Sequence, residues 1–519
     1  MRLLKEFWDF LVSHQGELWQ QIGEHLWLTL VALVLAALVG VSVGLLLSRL
    51  PKLARPVLAM VNIIQTIPSL ALLGFLLPIL GIGATPAIVA LFLYALLPIV
   101  RNAYIGVMEV DPAVREAARG MGLSNIQRLT QVELPLALPV IFAGLRTAAV
   151  INVGVATLCA LIAAGGLGEF IFRGISLNNS LMVLAGALPA ALLAIAFDTL
   201  LGALQRLMAR SYRLGIGVAV GMLLVPLVVL AWPSAKDDRL VAGFPSEFIE
   251  RGDGYQGLRG HYPGLDLAVR EMEIGLMYSA VKEGEVDVIS GFSTDGRIEA
   301  YGLRSLEDDR AYFPPYHCAP LVRQETLNRY PEIEEVLSQL HDRISDEDMV
   351  QLNYRIDQQQ ESLENVAKSW MREQGWSSDV TRETGKPDII IGSKNFTENL
   401  LLATLFGLMV ENQTLLDVDL ALGFGGTQLV YEALQAGEID LYPEYTGTGL
   451  LVILKAEGAV RDSLGGGREA TYAYVQQKVA PLGLKWLPPL GFNNTFALMM
   501  REDRASALGI TKISDLVAE

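Results

Sequence analysis

Cysteine and histidine are scarce in this 519-residue chain. The two cysteines, Cys159 and Cys318, lie far apart, one of them inside an apolar run, so no disulfide framework can be read. The five histidines show no metal-ligand spacing, and no nucleophile–base arrangement stands out, which argues against a metal site or an enzyme centre. A Walker A loop is also missing. Gly465-Gly-Gly-Arg has no Lys-Ser/Thr after it, and the Gly385-Lys386 pair runs straight into Pro387. Any ATP hydrolysis must then come from another polypeptide. The start of the chain lacks the continuous apolar core and small-residue cleavage site of a signal peptide, because Arg2, Lys5, Glu6 and Asp9 interrupt it. Residues 1–24 are expected to form an amphipathic interfacial helix, with Trp8 and Trp19 near the headgroups.

Apolar residues are what the chain has in quantity. They make up 52% of it, and mean hydropathy is positive, above the level of a typical soluble enzyme. Charge is divided unevenly. Residues 1–235 hold 14 Lys/Arg against 10 Asp/Glu, and the remainder holds 26 against 46. A weakly basic membrane part precedes a strongly acidic soluble part. The acidity speaks against nucleic acid as a partner and fits a solvated exterior.

Six apolar stretches each come near the ~20 residues that cross a bilayer. They lie near Leu26–Leu47, Pro56–Leu80, Pro86–Val100, Leu136–Ala164, Leu181–Leu204 and Leu214–Trp232. Arg49, Lys52 and Arg55 follow the first, Arg101, Arg115, Arg119 and Arg128 the third, and Arg206, Arg210 and Arg213 the fifth. All three basic loops fall on one side, which the positive-inside rule makes cytoplasmic, so residues after Trp232 are external. Pro68 and Pro98 are expected to interrupt their helices. Asp198, in an apolar run near its cytoplasmic end, is expected to be paired or to snorkel. After Trp232 the texture changes to short strands and helices. Asp287-Val-Ile-Ser-Gly and Asp388-Ile-Ile-Ile-Gly read as buried parallel strands, and Pro331–Leu340 and Thr397–Val410 as helices. This α/β part is long enough for two lobes.

Between the third and fourth spans runs Glu116-Ala-Ala-Arg-Gly-Met-Gly-Leu, continuing to Val132-Glu-Leu-Pro-Leu-Ala-Leu-Pro139. It resembles the cytoplasmic coupling loop of ABC-importer permeases, matching at Glu116, Ala117, Ala118, Gly120, Leu134 and Pro135. The resemblance implies a short helix offered to a separate ABC ATPase subunit. Thr66-Ile-Pro-Ser-Leu-Ala-Leu-Leu-Gly-Phe, Leu96-Leu-Pro-Ile-Val-Arg-Asn and Ala164-Gly-Gly-Leu-Gly resemble the permeases of glycine betaine, carnitine and choline importers. The fold implied is an α-helical, MetI-like membrane permease of about six transmembrane helices, over residues 25–235 with a coupling loop at 110–135. An α/β two-lobed periplasmic-binding-protein domain of type II would follow, over residues 236–519.

Two segments of that external part resemble the substrate-binding proteins of the same importers, in reversed order. Ile391-Gly-Ser-Lys-Asn-Phe-Thr-Glu, Gly425-Gly-Thr-Gln and Gly437-Glu-Ile-Asp-Leu-Tyr-Pro-Glu-Tyr-Thr-Gly-Thr resemble the family's opening half. Glu247-Phe-Ile-Glu-Arg-Gly-Asp-Gly-Tyr, Ser293-Thr-Asp-Gly-Arg-Ile and Phe313-Pro-Pro-Tyr-His-Cys-Ala-Pro resemble its second half. The pieces, 237–384 and 387–519, tile without overlap. Circular permutation of one domain is expected, with two truncated domains as the alternative. One lobe would then combine Asp237 to about Pro320 with the residues after about Ala497. The other would combine Val322–Gly375 with Pro387–Phe496.

The family pattern implies an aromatic cage of Tyr445, Phe496, Phe292 and Tyr316 for a quaternary ammonium, which cannot donate hydrogen bonds and is held by ring faces. It implies Lys394, Arg251 and Thr448 at the ligand's carboxylate, and Gln428 as a residue tuning selectivity. Phe292 and Phe496 depart from the pattern, since betaine binders of the family usually have Tyr there. Arg251 could instead pair with Asp253 or Glu250 on a solvated face, and Tyr442 reads as structural. The resemblance implies import of a betaine-type solute by a multi-pass protein of the bacterial inner membrane, with no cofactor in this chain and ATP and Mg bound by the partner ATPase. It implies two copies of the chain in the working assembly. Import of another zwitterion such as ergothioneine, or a ligand-gated receptor or channel without pumping, are the alternatives.

Overall fold

The computed structural model describes residues 2–177, 179–210, 239–252, 254–376, 387–456, 460, 464 and 467–517. They fall into two compact units, Met1–Ile175 with Asn179–Asp238, and Ser176–Asn178 with Arg239–Glu519.

The first unit is helical. α1 (Arg2–Ser13) leads into α2 (Gln15–Arg49), which starts well before the first expected span; Trp8 and Trp19 are exposed on them. The second expected span is not one straight helix. α3 (Pro51–Thr66) and α4 (Ser69–Leu80) meet at 96°. Pro68 has no N–H to continue the ladder and holds Ile67 in extended backbone. The Tyr94 hydroxyl donates to the Ile67 carbonyl at the break. Pro98, against expectation, lies inside a continuous α5 (Ala84–Met108). That helix is packed between α2 and α8 (Leu134–Leu158), and neighbours on two sides tolerate a single lost backbone bond. Glycines permit the close packing. A Cβ on Gly44 of α2 would stand 2.8 Å from the Val100 carbonyl oxygen, and one on Gly144 of α8 2.6 Å from that of Pro98. On α9 (Ser180–Arg210), Asp198 accepts two bonds from Arg146 of α8, at 2.7 and 2.8 Å, so this intramembrane acid is structurally paired. Among the described residues four helical runs are long and apolar enough to span a membrane, or five with the bent pair. The expected span Leu214–Trp232 lies outside the described residues.

The second unit has two five-stranded sheets of matching design. The first takes β1 (Val241–Phe244), β2 (Ala268–Glu271), β3 (Val288–Phe292) and β4 (Leu303–Ser305) from one stretch of chain, and β10 (Phe496–Arg501) from the other, in the order β2-β1-β3-β10-β4. The second holds β5 (Cys318–Arg323), β6 (Ile389–Gly392), β7 (Val418–Ala421), β8 (Leu441–Tyr445) and β9 (Leu484–Trp486), in the order β7-β6-β8-β5-β9. In each sheet three strands run parallel, and a strand that has crossed from the other lobe lies antiparallel beside them.

Two segments cross between the lobes, around Pro314–His317 and Asn493–Thr495. They lie side by side: Asn493 Oδ1 accepts from the Tyr316 N–H at 2.7 Å, and the Asn494 N–H donates to the Tyr316 carbonyl at 3.1 Å. The crossings fall a few residues from the expected lobe limits. Cys318–Pro320 belong to the second sheet and Phe496 to the first, because each ladder extends to the rim of the cleft.

One core fills the first lobe. Phe244, Phe248 and Tyr262 pack there with Leu498, Met500, Ile513 and Leu516 from the far end of the chain. Leu498→Ala, at a fully buried position in the central part of that sheet, should destabilise the external domain by about 2–5 kcal/mol. A fall in its thermal-unfolding midpoint measures this; an unchanged midpoint would mean that β10 is not an integral strand.

Candidate functional site

The rings expected to form a cage stand at the ends of strands, because the registers put them there. Phe496, first residue of β10, is paired directly with Phe292, last residue of β3. Tyr445, last residue of β8, is paired with Cys318, first residue of β5, and Tyr316 precedes it on the crossing. Strand ends on both lobes thus point at one cleft, which encloses about 180 Å3. The ring centroids of Phe292 and Phe496 are 5.1 Å apart, and Tyr316 meets Phe496 edge-on at 5.6 Å. Phe396, which the sequence reading did not single out, stacks on Phe292 at 5.3 Å and lies 6.1 Å from Tyr445. Its signal was an aromatic residue immediately before the helix Thr397–Gln413.

Tyr445, Phe496, Phe292, Tyr316, Lys394, Arg251 and Thr448 all line this cleft, and Gln428 does not. Gln428 lies one residue into the helix Thr427–Ala436, so Thr427 reaches the cleft while Gln428 turns aside and donates to Glu432 at 2.6 Å.

Both cations are already committed. Lys394, 5% exposed, donates to the wholly buried Glu444 at 2.6 Å, as a buried ammonium must. Its Nζ also lies 5.2 Å from the Tyr445 ring centre. The guanidinium of Arg251 lies 5.1 Å from the Phe496 ring centre and donates to Glu247 at 3.1 Å. The described partner is a residue of the cleft lining; the Glu250 side chain and Asp253 lie outside the described residues. Tyr442 is buried and donates to Glu444 at 2.9 Å, a structural contact. Glu247 and Glu444 escaped the sequence reading although both stood inside its motifs.

The Glu247 carboxylate reaches across the cleft from the helix Ser246–Glu250. Its Oε2 lies 3.0 Å from where a Cβ on Gly426 would stand, at the start of the helix Thr427–Ala436. Its neighbourhood favours an anion, combining Arg251, Lys394 and a helix N-terminus.

A second constellation belongs to the helical unit. α6 (Pro112–Gly120) is capped by the Asp111 side chain, which accepts from the Ala113 N–H at 2.8 Å, with Pro112 at a position where no N–H is missed. Glu116, Ala117 and Gly120 are exposed on it, and Ala118 is buried. α7 (Asn125–Arg128) follows with a Ser124–Gln127 capping box. Leu134 and Pro135 then open α8, half-buried. Met121 and Ile126 are about three-quarters exposed, an apolar surface beside the short helix. The anchor is Glu133, which the sequence reading passed over. It is 1% exposed and pairs with Arg49, with Arg128 at 3.2 Å and with Arg115 at 3.9 Å.

Burial alone would raise the Glu247 carboxyl, but Arg251 and then Lys394 outweigh it and hold it below the usual glutamate range. A group depressed in this way contributes stability above its ordinary pKa and loses it as pH falls through the depressed one. The contact across the cleft should therefore be intact at neutral pH and weaken in acid. An interlobe distance from paired fluorescent labels should lengthen on acidification in the native chain and stay flat in Glu247→Gln; parallel behaviour of the two would remove Glu247 from the contact.

Residues 233–373 and 387–519 match the family described as the substrate binding domain of ABC-type glycine betaine transport system. Residues 18–214 match the binding-protein-dependent transport system inner membrane component. The helical part is 43% identical over 203 residues to the glycine betaine/carnitine/choline transport system permease protein OpuCB of Bacillus subtilis (strain 168), covering 39% of this chain and 94% of that one. It is 47% identical over 201 residues to the osmoprotectant import permease protein OsmW of Salmonella typhimurium, covering 38% of this chain and 94% of that one. Among solved structures, the MetNI methionine ABC transporter in inward-facing conformations is 28% identical over 37% of this chain and 97% of that one, with a TM-score of 0.34. The chain belongs to the ABC importers of the glycine betaine type, and joins in one polypeptide an inner-membrane permease and a substrate-binding domain.

Proposed function

We propose that the external domain captures a quaternary-ammonium solute of the glycine betaine, choline or carnitine kind and passes it to the permease for import. The observation that carries this reading is the aromatic cluster at the strand ends of both lobes. A quaternary ammonium offers no hydrogen-bond donor, so its recognition falls to ring faces and dispersion. Tyr445, Phe292, Phe496 and Tyr316 fill the cage role in this reading, with Phe396 beside them. Phenylalanine at 292 and 496 keeps the π face and gives up the hydroxyl. Lys394, Arg251 and Thr448 are the groups offered to a ligand's carboxylate, with both cations shared with glutamates of the cleft.

In the same reading a separate ABC ATPase binds ATP and magnesium and engages the loop that carries Glu116, Ala117, Ala118 and Gly120, with Leu134 and Pro135 relaying its movement to α8. Two copies of this chain and two ATPases make the working importer. Tethering the binding domain to the permease replaces bimolecular capture by an effective concentration on the order of millimolar. The external domain is one permuted domain, a view supported by the shared core of Phe244, Phe248, Leu498 and Ile513. Its permuted order needs the old termini to have been close, as they commonly are.

Two experiments test these assignments. Calorimetric titration of the full chain in detergent with choline, glycine betaine and carnitine should show saturable binding of one of them. Tyr445→Ala should weaken it by about 1–2 kcal/mol, or roughly 5- to 30-fold. Silence toward all three would reject the cargo. For coupling, Gly120 is informative because a Cβ there meets nothing within 4 Å. Gly120→Leu should leave folding and ligand binding intact yet lower ATP-driven uptake in proteoliposomes at least several-fold. Undiminished uptake would show that no partner approaches this face.

A further inference from the structure

Behind the cage lies an acid that the binding reading does not use. Glu398, in the first turn of the helix Thr397–Gln413, is 3% exposed. Its hydrogen bonds come from neutral donors in different parts of the domain. Oε1 accepts from the Tyr445 hydroxyl at 2.7 Å and from Asn494 Nδ2 at 2.7 Å. Oε2 accepts from the Thr294 hydroxyl at 2.5 Å and from Asn353 Nδ2 at 3.1 Å. No basic side chain among the described residues forms an ion pair with it, and Lys394, the nearby cation of the cleft lining, is held by Glu444.

Four neutral donors aimed at one carboxylate make its burial tolerable without cancelling its charge. Burial still raises the carboxyl above the usual glutamate range, with Thr294, Tyr445, Asn353 and Asn494 opposing that rise. The charge is placed where a cation site can feel it. A phenol that donates to a carboxylate gains electron density on its ring, and the ring here is Tyr445, which lines the cleft. A quaternary ammonium cannot touch a carboxylate through hydrogen bonds, so attraction passed through a ring, in a site of low dielectric, is the form that suits it.

We propose that Glu398 is the counter-charge of the cation site, a positioning and specificity-determining residue that acts through the Tyr445 hydroxyl and makes the cleft prefer a charged trimethylammonium group over an uncharged group of the same shape. The inference rests on the quaternary-ammonium reading given above. It explains how a cleft whose two lining cations are each matched by a glutamate still attracts a cationic head. Beside Glu273, an acid of the lining itself, Glu398 adds a carboxylate one ring behind the lining that no described cation pairs with.

The test compares ligands that differ in charge and not in shape. Choline is paired with 3,3-dimethylbutan-1-ol, and glycine betaine with 3,3-dimethylbutanoate, in competition binding to the full chain in detergent. Glu398→Gln should weaken the trimethylammonium ligand by about tenfold and its tert-butyl counterpart by less than about twofold. Equal weakening of both members of a pair would make Glu398 a structural residue and overturn the proposal. Tyr445→Phe keeps the ring and severs the link, so it should show the same charge-selective loss, with Glu398→Gln adding little on top of it. If Glu398→Gln fails to fold, the tyrosine variant decides alone, and a loss blind to ligand charge sinks the idea. A native chain that binds no quaternary ammonium ligand overturns the cargo reading and this proposal with it. A native chain that binds one, with no charge selectivity lost in either variant, overturns this proposal and leaves the cargo reading standing.

Discussion

The pairing of β10 with β3 is the contact on which the external domain turns. Five consecutive register pairs, from Phe496 opposite Phe292 to Met500 opposite Val288, bring the end of the chain into a sheet begun more than two hundred residues earlier. The ladder does two things at once. It closes the first lobe's core, since Leu498 and Met500 point into the cluster that holds Phe244 and Tyr262. It also fixes Phe496 beside Phe292 at the rim of the cleft. A slip of one residue would turn every β10 side chain to the opposite face of the sheet, losing core and cleft together. The second lobe repeats the arrangement with Cys318 opposite Tyr445. The candidate site is thus a by-product of two antiparallel registers, each made by a strand that has crossed from the other lobe.

Charge in the cleft follows from the same placement. Burial in the lining costs a charged group its hydration, so a buried cation there needs a partner. Lys394 finds Glu444 and Arg251 finds Glu247, and each cation also lies over a ring, Tyr445 and Phe496 respectively. In the proposed binding cycle an incoming ammonium therefore meets rings that already carry a positive group on one face. Exchange of partners within the cleft, rather than filling of a vacant box, is the energetic problem that the ligand solves.

The membrane fold was legible in the sequence where hydropathy ran unbroken, and the short helices between α5 and α8 where helix signals were local. Asp111-Pro112 begins a helix for reasons contained in two residues, a side-chain cap and a proline that misses no bond. Prolines inside the spans were harder to read. Pro68 breaks its span and Pro98 does not, and the difference lies in the packing of α2 and α8 against α5, which no local pattern reports. The rings that line the cleft were legible as aromatic residues in recognisable motifs. Glu398, Glu444, Glu247 and Glu133 were not, although each stood inside or beside a quoted segment, because a glutamate's importance depends on what surrounds it after folding. Gln428 runs the other way: its motif reaches the cleft, but a helix turns successive side chains by about 100°, and Thr427 rather than Gln428 lines it.

Buried carboxylates carry a common logic through both units. Glu133, almost without solvent contact, gathers Arg49 from the end of α2, Arg115 from α6 and Arg128 from α7. Two of these segments, α6 and α7, are joined by the turn at Gly122, with a φ of 79°. Removing the acid alone would leave positive charge uncompensated in a half-buried place. The loop's exposed face, with Glu116, Gly120, Met121 and Ile126, is presented on a frame that Glu133 ties together. Glu398 does the corresponding work in the external domain with neutral donors instead of cations. The contrast is physical: arginines around Glu133 cancel its charge and make it an anchor, whereas amides and hydroxyls around Glu398 leave its charge to act at a distance.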